Sequence, residues 1–257
     1  MQAAISQLFN LSGKTALVTG ASRGLGQAIA VALSAAGARV LCASSSAGGA
    51  DETVKQILDA GGQAEAFAAD LSNPDAVRQL ATEALAAAKT IDILVNCGGT
   101  IFRSPALEFP QEQWQQNFAV NVDSAFLLSQ LLAKPMIERG FGKIINIASM
   151  LSFSGGITVP AYTASKHAIA GLTKALANEW GQYGLNINAI APGYFKTDNT
   201  AALQADPVRN GQILARLPAG RWGEPEDLAG AVVFLSSTAS NYVNGHILAV
   251  DGGWLAR

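Results

Sequence analysis

The sequence predicts an α/β fold in which a parallel sheet carries helices on both faces. Short apolar runs alternate with stretches of helical periodicity along all 257 residues, and this alternation is typical of a doubly wound sheet. The length suits one large domain with a substantial core. Because no repeat or linker interrupts the pattern, residues 1–257 are predicted to form a single domain.

The strands and helices follow from the apolar pattern, taken in chain order. Short β-branched runs are typical of buried parallel strands, whereas apolar residues three and four positions apart predict helices. Strands are predicted at residues 15–19, 39–43, 64–69, 91–95, 144–148, 185–190 and 247–250. Helices are predicted at residues 27–36, 51–60, 74–89, 111–138, 161–180 and 225–236. The segment 194–218 is irregular or weakly helical and is predicted to act as a mobile lid.

A glycine-rich turn joins the first strand to the first helix, with the spacing Gly20-x-x-x-Gly24-x-Gly26. Glycines let the backbone approach a pyrophosphate, and the helix start supplies free N–H groups and the positive end of the helix dipole. A merely tight turn is the alternative, but the flanking strand and helix favour a dinucleotide site. The predicted contacts in this turn are Gly20, Ser22, Arg23, Gly24, Leu25 and Gly26.

The end of the second strand bears on which dinucleotide binds. An acidic residue there would bind the adenosine ribose hydroxyls and favour NAD(H), but this chain has Ser44. A serine does not repel a 2′-phosphate, and the guanidinium of Arg23 suits phosphate in a bidentate pairing. The sequence therefore favours NADP(H). NAD(H) stays possible, with Arg23 then a solvated loop charge.

Three polar residues follow the fifth strand and enter the next helix. Ser149 stands at the strand end, and Tyr162 and Lys166 are four apart, so they share one face of the helix. A free tyrosine has a pKa of about 10, and a nearby lysine cation lowers it. The phenol can then exchange a proton with a substrate oxygen that Ser149 also hydrogen-bonds. Taken alone, a tyrosine and lysine at this spacing more often simply pack.

Composition and charge exclude several classes of protein. The net charge of −2 without a basic stripe argues against nucleic acid, and no apolar run approaches the roughly 20 residues that span a bilayer. Residues 1–10 lack the basic start and apolar core of a secretory signal. Cys42 and Cys97 are expected to be reduced, buried thiols in a cytoplasmic protein. No Cys/His spacing suits a metal, so none is predicted.

The sequence also predicts self-association. Hydrophobic residues make up 49% of the chain and charged residues only 14%, which is more apolar than the usual soluble composition. The predicted helices 111–138 and 161–180 carry more apolar surface than one face of a sheet needs. A homotetramer with twofold symmetries is therefore expected, since closed twofold assemblies are common.

Taken together, these motifs resemble the short-chain dehydrogenase/reductase family over nearly the whole chain. The residues that carry the resemblance are Thr19, Gly20, Gly24, Gly26, Asp70, Asn96, Gly98, Gly99, Asn121, Ser149, Tyr162, Lys166, Pro192 and Gly193. The resemblance implies one Rossmann-like domain with a seven-stranded parallel sheet. It also implies an NAD(P)-dependent oxidoreductase that transfers hydride between the nicotinamide and a small-molecule ketone or secondary alcohol.

The resemblance also assigns roles to individual residues. Tyr162 is the proton donor or acceptor, Ser149 polarises the substrate oxygen, and Lys166 holds the nicotinamide ribose and lowers the pKa of Tyr162. Asn121 anchors a water molecule in a proton relay. Further expected cofactor residues are Ser44, Asp70, Leu71, Asn96, Gly98, Pro192, Gly193 and Thr197. Cys97 departs from the pattern, because the family usually has asparagine there.

A narrower resemblance points to family members that act on keto-deoxy sugar acids. It is carried by the segments 144–153, 220–223, 242–245 and 250–257. Such a substrate is an anion, and Arg103 is the first choice for its carboxylate because it follows the fourth strand, where open α/β sheets bind ligands. Lys196 and Arg221 are weaker candidates. The alternatives are a 3-oxoacyl-type reductase and a protein that senses a dinucleotide without catalysis.

Overall fold

The computed structural model describes residues 5–257 and contains one seven-stranded parallel sheet in the order β3-β2-β1-β4-β5-β6-β7. The strands are β1 Thr15–Thr19, β2 Arg39–Ser44, β3 Gln63–Ala68, β4 Ile93–Asn96, β5 Gly142–Ile147, β6 Leu185–Pro192 and β7 Ile247–Val250. In the register, Leu17 lies between Leu41 and Leu94. The predicted fold class is confirmed, and each predicted strand is present with its ends shifted by at most two residues.

Helices cover both faces of this sheet. They are α1 Ile5–Leu8, α2 Gly24–Ala35, α3 Asp51–Asp59, α4 Pro74–Ala88, α5 Gln111–Phe118, α6 Ser124–Arg139, α7 Pro160–Trp180, α8 Ala201–Ala205, α9 Pro207–Arg216 and α10 Ala229–Ser236. Successive residues of β1 point to opposite faces. Val18 therefore packs in one buried cluster with Ile29, and Leu17 in the other with Leu128. These two clusters fix the sheet between its helix layers.

The helix predicted at 111–138 is interrupted by a π-helical turn, Ala119–Asp123, between α5 and α6. A π turn adds a residue to the helical repeat and is frequent at functional sites. Asn121 lies inside this turn and is buried. The sequence did not predict this π turn, because the apolar residues before and after it keep the periodicity of an ordinary α-helix.

The segment 194–218 is more ordered than its sequence suggested. It contains α8 and α9 besides a short 3₁₀ turn, Asp198–Thr200. Pro207 opens α9 and the Asp206 carboxylate caps its first N–H groups, which is a usual helix start that sequence reasoning overlooked. Ile213 and Leu217 pack with Trp222 beneath α9. The mobility of this lid segment stays a prediction.

Among residues 5–257, no helix is both long enough and apolar enough to cross a membrane.

Candidate active site

The carboxyl ends of parallel strands meet at one edge of a sheet, and a cavity of about 650 Å³ opens at that edge. The lid segment and the loops after β1, β2 and β4 form its walls. Thirteen of the predicted site residues line it: Gly20, Ser22, Arg23, Gly24, Leu25, Gly26, Ser44, Asp70, Leu71, Gly98, Tyr162, Lys166 and Thr197. Asn96, Arg103, Asn121, Ser149, Pro192 and Gly193 are outside this lining. The cavity lies where doubly wound sheets bind ligands.

The glycine-rich turn forms a close-packed cradle at the base of the cavity. Gly20 has a left-handed φ of +67°, and a Cβ there would lie 2.9 Å from the Cα of Gly98. A Cβ on Gly26 would collide with the carbonyl of Gly20. Both positions therefore exclude side chains, and the backbone at the start of α2 is left open to a ligand. These features fit the pyrophosphate of a dinucleotide.

The end of β2 forms the outer part of the cavity. Ser44 is buried and its hydroxyl donates a hydrogen bond to the Ser46 carbonyl at 2.9 Å. Arg23 lines the same cavity from the glycine-rich turn, and its Nε lies 3.2 Å from Asp198 Oδ2 of the lid segment. Arg23 is therefore an exposed cation with one ion pair to the lid segment. An arginine that shares the cavity with an uncharged strand end is compatible with a phosphate there.

The turn after β4 is fixed from two sides. The Thr19 hydroxyl accepts hydrogen bonds from the backbone N–H groups of Cys97 and Gly98 at 3.1 and 3.0 Å. Asn96 lies beneath the turn, where its amide donates to Asn146 Oδ1 at 2.9 Å and to Ser129 at 3.2 Å. Asn96 therefore joins neighbouring strands and α6 and does not line the cavity.

Ser149, Tyr162 and Lys166 meet at the inner end of the cavity. The 3₁₀ turn that follows β5 begins at Ser149, whose side chain caps it, while α7 carries both Tyr162 and Lys166. The Ser149 side chain lies close enough to the Tyr162 hydroxyl to lower its pKa. The Lys166 ammonium lies 5.5 Å from the centre of the Tyr162 ring and donates to the Ile147 carbonyl at 2.6 Å. The spacing in the sequence thus produces the predicted cluster.

The electrostatics of the cluster differ from the expectation. Burial raises the pKa of Tyr162, and this effect outweighs the lowering by the Ser149 side chain and by the charge of Arg103. Burial also lowers the pKa of Lys166 to about 8. The prediction of a lowered Tyr162 pKa is therefore wrong for the protein alone, because removing the phenolate from water costs more than the nearby donors and cations restore.

Asn121 is held by hydrogen bonds within the protein. Its side chain accepts from the Thr100 N–H at 2.8 Å and donates to the Thr100 carbonyl and the Ser165 hydroxyl at 3.0 Å each. Ser165 in turn donates to the carbonyl of Tyr162 at 2.8 Å. Asn121 thus connects the loop after β4 to α7 beside the tyrosine. Ser165 was not predicted, although its place between Tyr162 and Lys166 was a signal.

The three cationic candidates for a substrate carboxylate are in different surroundings. Arg221 forms a bidentate pair with Asp227 at 2.6 and 2.9 Å, and Lys196 is paired with Glu224. Arg103 is exposed, and no ion pair of its guanidinium forms with any other residue from 5 to 257. Its charge lies close enough to lower the pKa of Tyr162. Arg103 is the candidate that remains available to an anion.

Comparison with known proteins identifies the family. The family described as enoyl-(acyl carrier protein) reductase matches residues 20–255. The 2-dehydro-3-deoxy-D-gluconate 5-dehydrogenase of Bacillus subtilis (strain 168) is 55% identical over 97% of both chains. The chain belongs to the short-chain dehydrogenase/reductase family. It is therefore an oxidoreductase, as its motifs implied.

Other relatives of this dehydrogenase/reductase extend the comparison. The 2-dehydro-3-deoxy-D-gluconate 5-dehydrogenase of Escherichia coli (strain K12) is 50% identical over 98% of this chain and 100% of its own. A solved structure from Agrobacterium tumefaciens, described as a 2-deoxy-D-gluconate 3-dehydrogenase with bound NADP, is 55% identical with a TM-score of 0.92 over 97% of this chain and 99% of its own. Gluconate 5-dehydrogenase from Burkholderia cenocepacia J2315, with NADP and tartrate, has a TM-score of 0.95 at 38% identity over 99% and 100%.

Several lining residues of this dehydrogenase/reductase were not predicted from the sequence, and two of them lie on one helical segment. Gln116 and Val120 reach the cavity from α5 and the π turn. They precede Asn121 by five and one positions, so the same helical segment carries all three. A helix that brings one functional residue to a cavity brings its neighbours too, and that periodicity was the signal available in the sequence.

Proposed function

We propose that this enzyme interconverts a ketone and a secondary alcohol on an anionic sugar acid, most closely a keto-deoxy sugar acid, with a nicotinamide dinucleotide as cofactor. The observation that carries this proposal is Arg103, an exposed cation without an ion-pair partner among residues 5–257. Its charge is close enough to lower the pKa of Tyr162. The relatives named as 2-dehydro-3-deoxy-D-gluconate 5-dehydrogenases support the same class of substrate.

The cavity suggests which residues hold the cofactor. The cradle of Gly20 and Gly26 suits the pyrophosphate, and Lys166 keeps N–H groups beyond its bond to the Ile147 carbonyl that suit the ribose hydroxyls. When bound, the nicotinamide supplies or accepts the hydride. NADP(H) is the favoured form because Arg23 and the uncharged Ser44 line the same cavity, and because related structures contain NADP. NAD(H) is the alternative.

Side chains of the protein carry out the proton transfer. Tyr162 gives its hydroxyl proton to the substrate oxygen in reduction and takes it back in oxidation, while Ser149 hydrogen-bonds the same oxygen. A raised Tyr162 pKa keeps the phenol protonated but makes it a weaker acid, so proton transfer depends on nearby donors and cations that stabilise the phenolate. Asn121 is the proposed anchor of a relay water, because its Oδ1 accepts only the bond from the Thr100 N–H and an amide oxygen has a second lone pair.

Arg103→Ala tests the substrate assignment. A charge-assisted hydrogen bond to a carboxylate contributes about 1.5–3 kcal/mol, so KM for a keto-deoxy sugar acid should rise by roughly tenfold or more. Turnover of an uncharged ketone of similar size should barely change. Lys55→Ala, which removes an exposed cation on α3, is the matched control and should affect neither substrate. Equal effects of Arg103→Ala on both substrates would place the carboxylate elsewhere.

A 3-oxoacyl-type reductase is the second candidate. It is favoured by an Agrobacterium tumefaciens 3-oxoacyl (acyl-carrier-protein) reductase structure with NADP bound, 31% identical with a TM-score of 0.92 over 97% of both chains. Absorbance assays of NAD(P)H with keto-deoxy uronates and with acyl thioesters separate the two. A dinucleotide sensor without catalysis would turn over neither, and the intact cluster of Ser149, Tyr162 and Lys166 argues against it.

We also propose that the enzyme is a cytoplasmic homotetramer. Large apolar side chains stay exposed on α5, on α6 and in the turn before α5, where Trp114 is 36%, Phe126 41% and Leu107 102% exposed. Exposed apolar clusters mark contact surfaces. The free thiols Cys42 and Cys97 fit a reducing compartment. Light scattering at micromolar concentration should give four times the chain mass, and a monomer would contradict the assembly.

A further inference from the structure

An exposed ion pair joins the glycine-rich turn to the lid segment at the cofactor cavity. Arg23 is the N-cap residue of α2, and Asp198 begins the 3₁₀ turn Asp198–Thr200. Their side chains are 77% and 73% exposed, with Nε and Oδ2 3.2 Å apart. Both residues line the cavity. The pair therefore belongs to the wall of the site and is not a distant surface contact.

The pair occupies only part of the Arg23 guanidinium. Asp198 meets Nε, and no residue from 5 to 257 forms a further hydrogen bond or ion pair with this side chain. The Nη edge is left for an external acceptor. Ser44 and Ser45 line the cavity at the end of β2, where an arginine nearby accommodates a 2′-phosphate in dinucleotide-binding folds. Within the described part of the chain, only two carboxylates line this cavity, Asp70 and Asp198.

We propose that Asp198 is a specificity-determining residue that weakens the preference of this enzyme for NADP(H) over NAD(H). Its carboxylate cancels the charge of Arg23 and repels the dianionic 2′-phosphate that Arg23 would bind. NAD(H) has no phosphate at this position, so the penalty is much smaller for that cofactor. This inference rests on the cofactor site proposed above and names a residue that tunes it.

Asp198 has two opposite effects on a bound 2′-phosphate: it can orient Arg23 towards the phosphate, and it repels the phosphate itself. A carboxylate can also orient an arginine, but exposed ion pairs hold their side chains only weakly. Repulsion between Asp198 and a phosphate does not depend on an ordered side chain and acts within the Debye length of about 10 Å at 0.1 M salt. Repulsion is therefore the larger effect. Removing the charge should improve NADP(H) selectivity by about three- to tenfold.

The test compares Asp198→Asn with Glu138→Gln. Glu138 is exposed at the other end of the sheet, near the carboxyl end of α6, so this control makes the same change of net charge away from the cavity. Dissociation constants of NADPH and NADH are measured by fluorescence titration at low salt, about 50 mM, and at high salt, about 500 mM, which shortens the Debye length roughly threefold. Asp198→Asn should raise the NADPH preference about three- to tenfold at low salt and less at high salt.

The possible outcomes separate the two proposals. An unchanged preference in Asp198→Asn overturns the inference, and a reduced preference overturns it by showing that Asp198 orients Arg23. Arg23→Ala should reduce the NADPH preference; if it does not, the assignment of Arg23 to the phosphate is wrong and the inference fails with it. Because binding is measured without a sugar acid, an error in the substrate class leaves this experiment informative.

Discussion

Two buried lysines lie near opposite ends of β5: Lys143 at its amino end, and Lys166, on α7, at its carboxyl end. Their pKa values are similar, but their surroundings differ. Lys143, near the amino end of β5, has no exposed surface, and Lys166 on α7 is only 5% exposed. Burial lowers the pKa of each to about 8. Lys143 donates to Asn186 and Asn241 at 2.9 Å each and to Ser240 at 3.4 Å. Lys166 donates to a single protein acceptor, the Ile147 carbonyl.

The difference separates a structural lysine from a functional one. An ammonium has three donors, and Lys143 uses one on Asn186 of β6 and two on Ser240 and Asn241 before β7, which joins that loop to the sheet. Lys166 faces the cavity with donors left over. A lowered pKa is common to both, so it does not identify the functional group by itself. Unused N–H donors next to a cavity identify the functional lysine.

Tyr162→Phe should have the largest effect in the region around Lys166. The ring keeps its packing but loses the proton, so turnover should fall by about 10²–10⁴, while binding of the cofactor stays nearly unchanged. Steady-state kinetics and fluorescence titration of NADPH check both parts. Activity within a few-fold of the parent enzyme would contradict the proton-donor assignment.

Replacing each lysine by methionine tests the comparison directly. Lys166→Met should reduce kcat/KM by about tenfold or more, because it removes a charge-assisted hydrogen bond worth about 1.5–3 kcal/mol at the cofactor. It should lower stability less than Lys143→Met does, because it leaves one buried acceptor without its donor and not three. Lys143→Met should leave kcat intact and lower the free energy of unfolding by about 1–3 kcal/mol, since its acceptors lose their buried donor. Reversed results in kinetics and chemical denaturation would show that the roles are exchanged.

The dependence of stability on pH offers a smaller test. Each lysine has a pKa of 10.5 when unperturbed and about 8 in the folded protein, so above pH 8 the unfolded chain binds more protons and stability rises. Burial raises the pKa of Cys42 to about 12 and that of Cys97 to about 11, which opposes this trend above pH 9. Between pH 8 and 9 the free energy of unfolding should rise by about 1–2 kcal/mol.

Lys143→Met is also the control for this pH dependence. The variant should lose roughly half of the rise between pH 8 and 9, since one of the two lysines no longer titrates. Urea denaturation at a series of pH values measures the difference. If the parent protein and the variant gave parallel curves, Lys143 would have to titrate normally.

Asn241→Ala should have the smallest effect. It removes one of three acceptors of Lys143, and a single hydrogen bond to a charged group is worth about 1.5–3 kcal/mol at most, less where water replaces the lost partner. Because Asn241 is exposed, we expect a loss of about 1 kcal/mol in stability and unchanged kinetics. A loss of activity would show that this loop affects the cavity and would contradict a purely structural role for Lys143.

The sequence by itself determined the features that depend on local pattern. Strand and helix periodicity indicated the parallel sheet, and the glycine spacing after β1 indicated the cradle formed by Gly20 and Gly26. The four-residue interval between Tyr162 and Lys166 placed both on one face of α7. These inferences succeed because spacing along a regular helix or strand fixes the direction of side chains.

Only the tertiary structure decided which charged groups are free and how they titrate. Lys196, Arg221 and Arg103 look alike in sequence, yet the first two are paired with Glu224 and Asp227. The partners of Lys143 come from 43 to 98 residues away. Burial also reversed the expected shift in the pKa of Tyr162. Ion pairing and desolvation depend on groups brought together from distant parts of the chain, which no local spacing records.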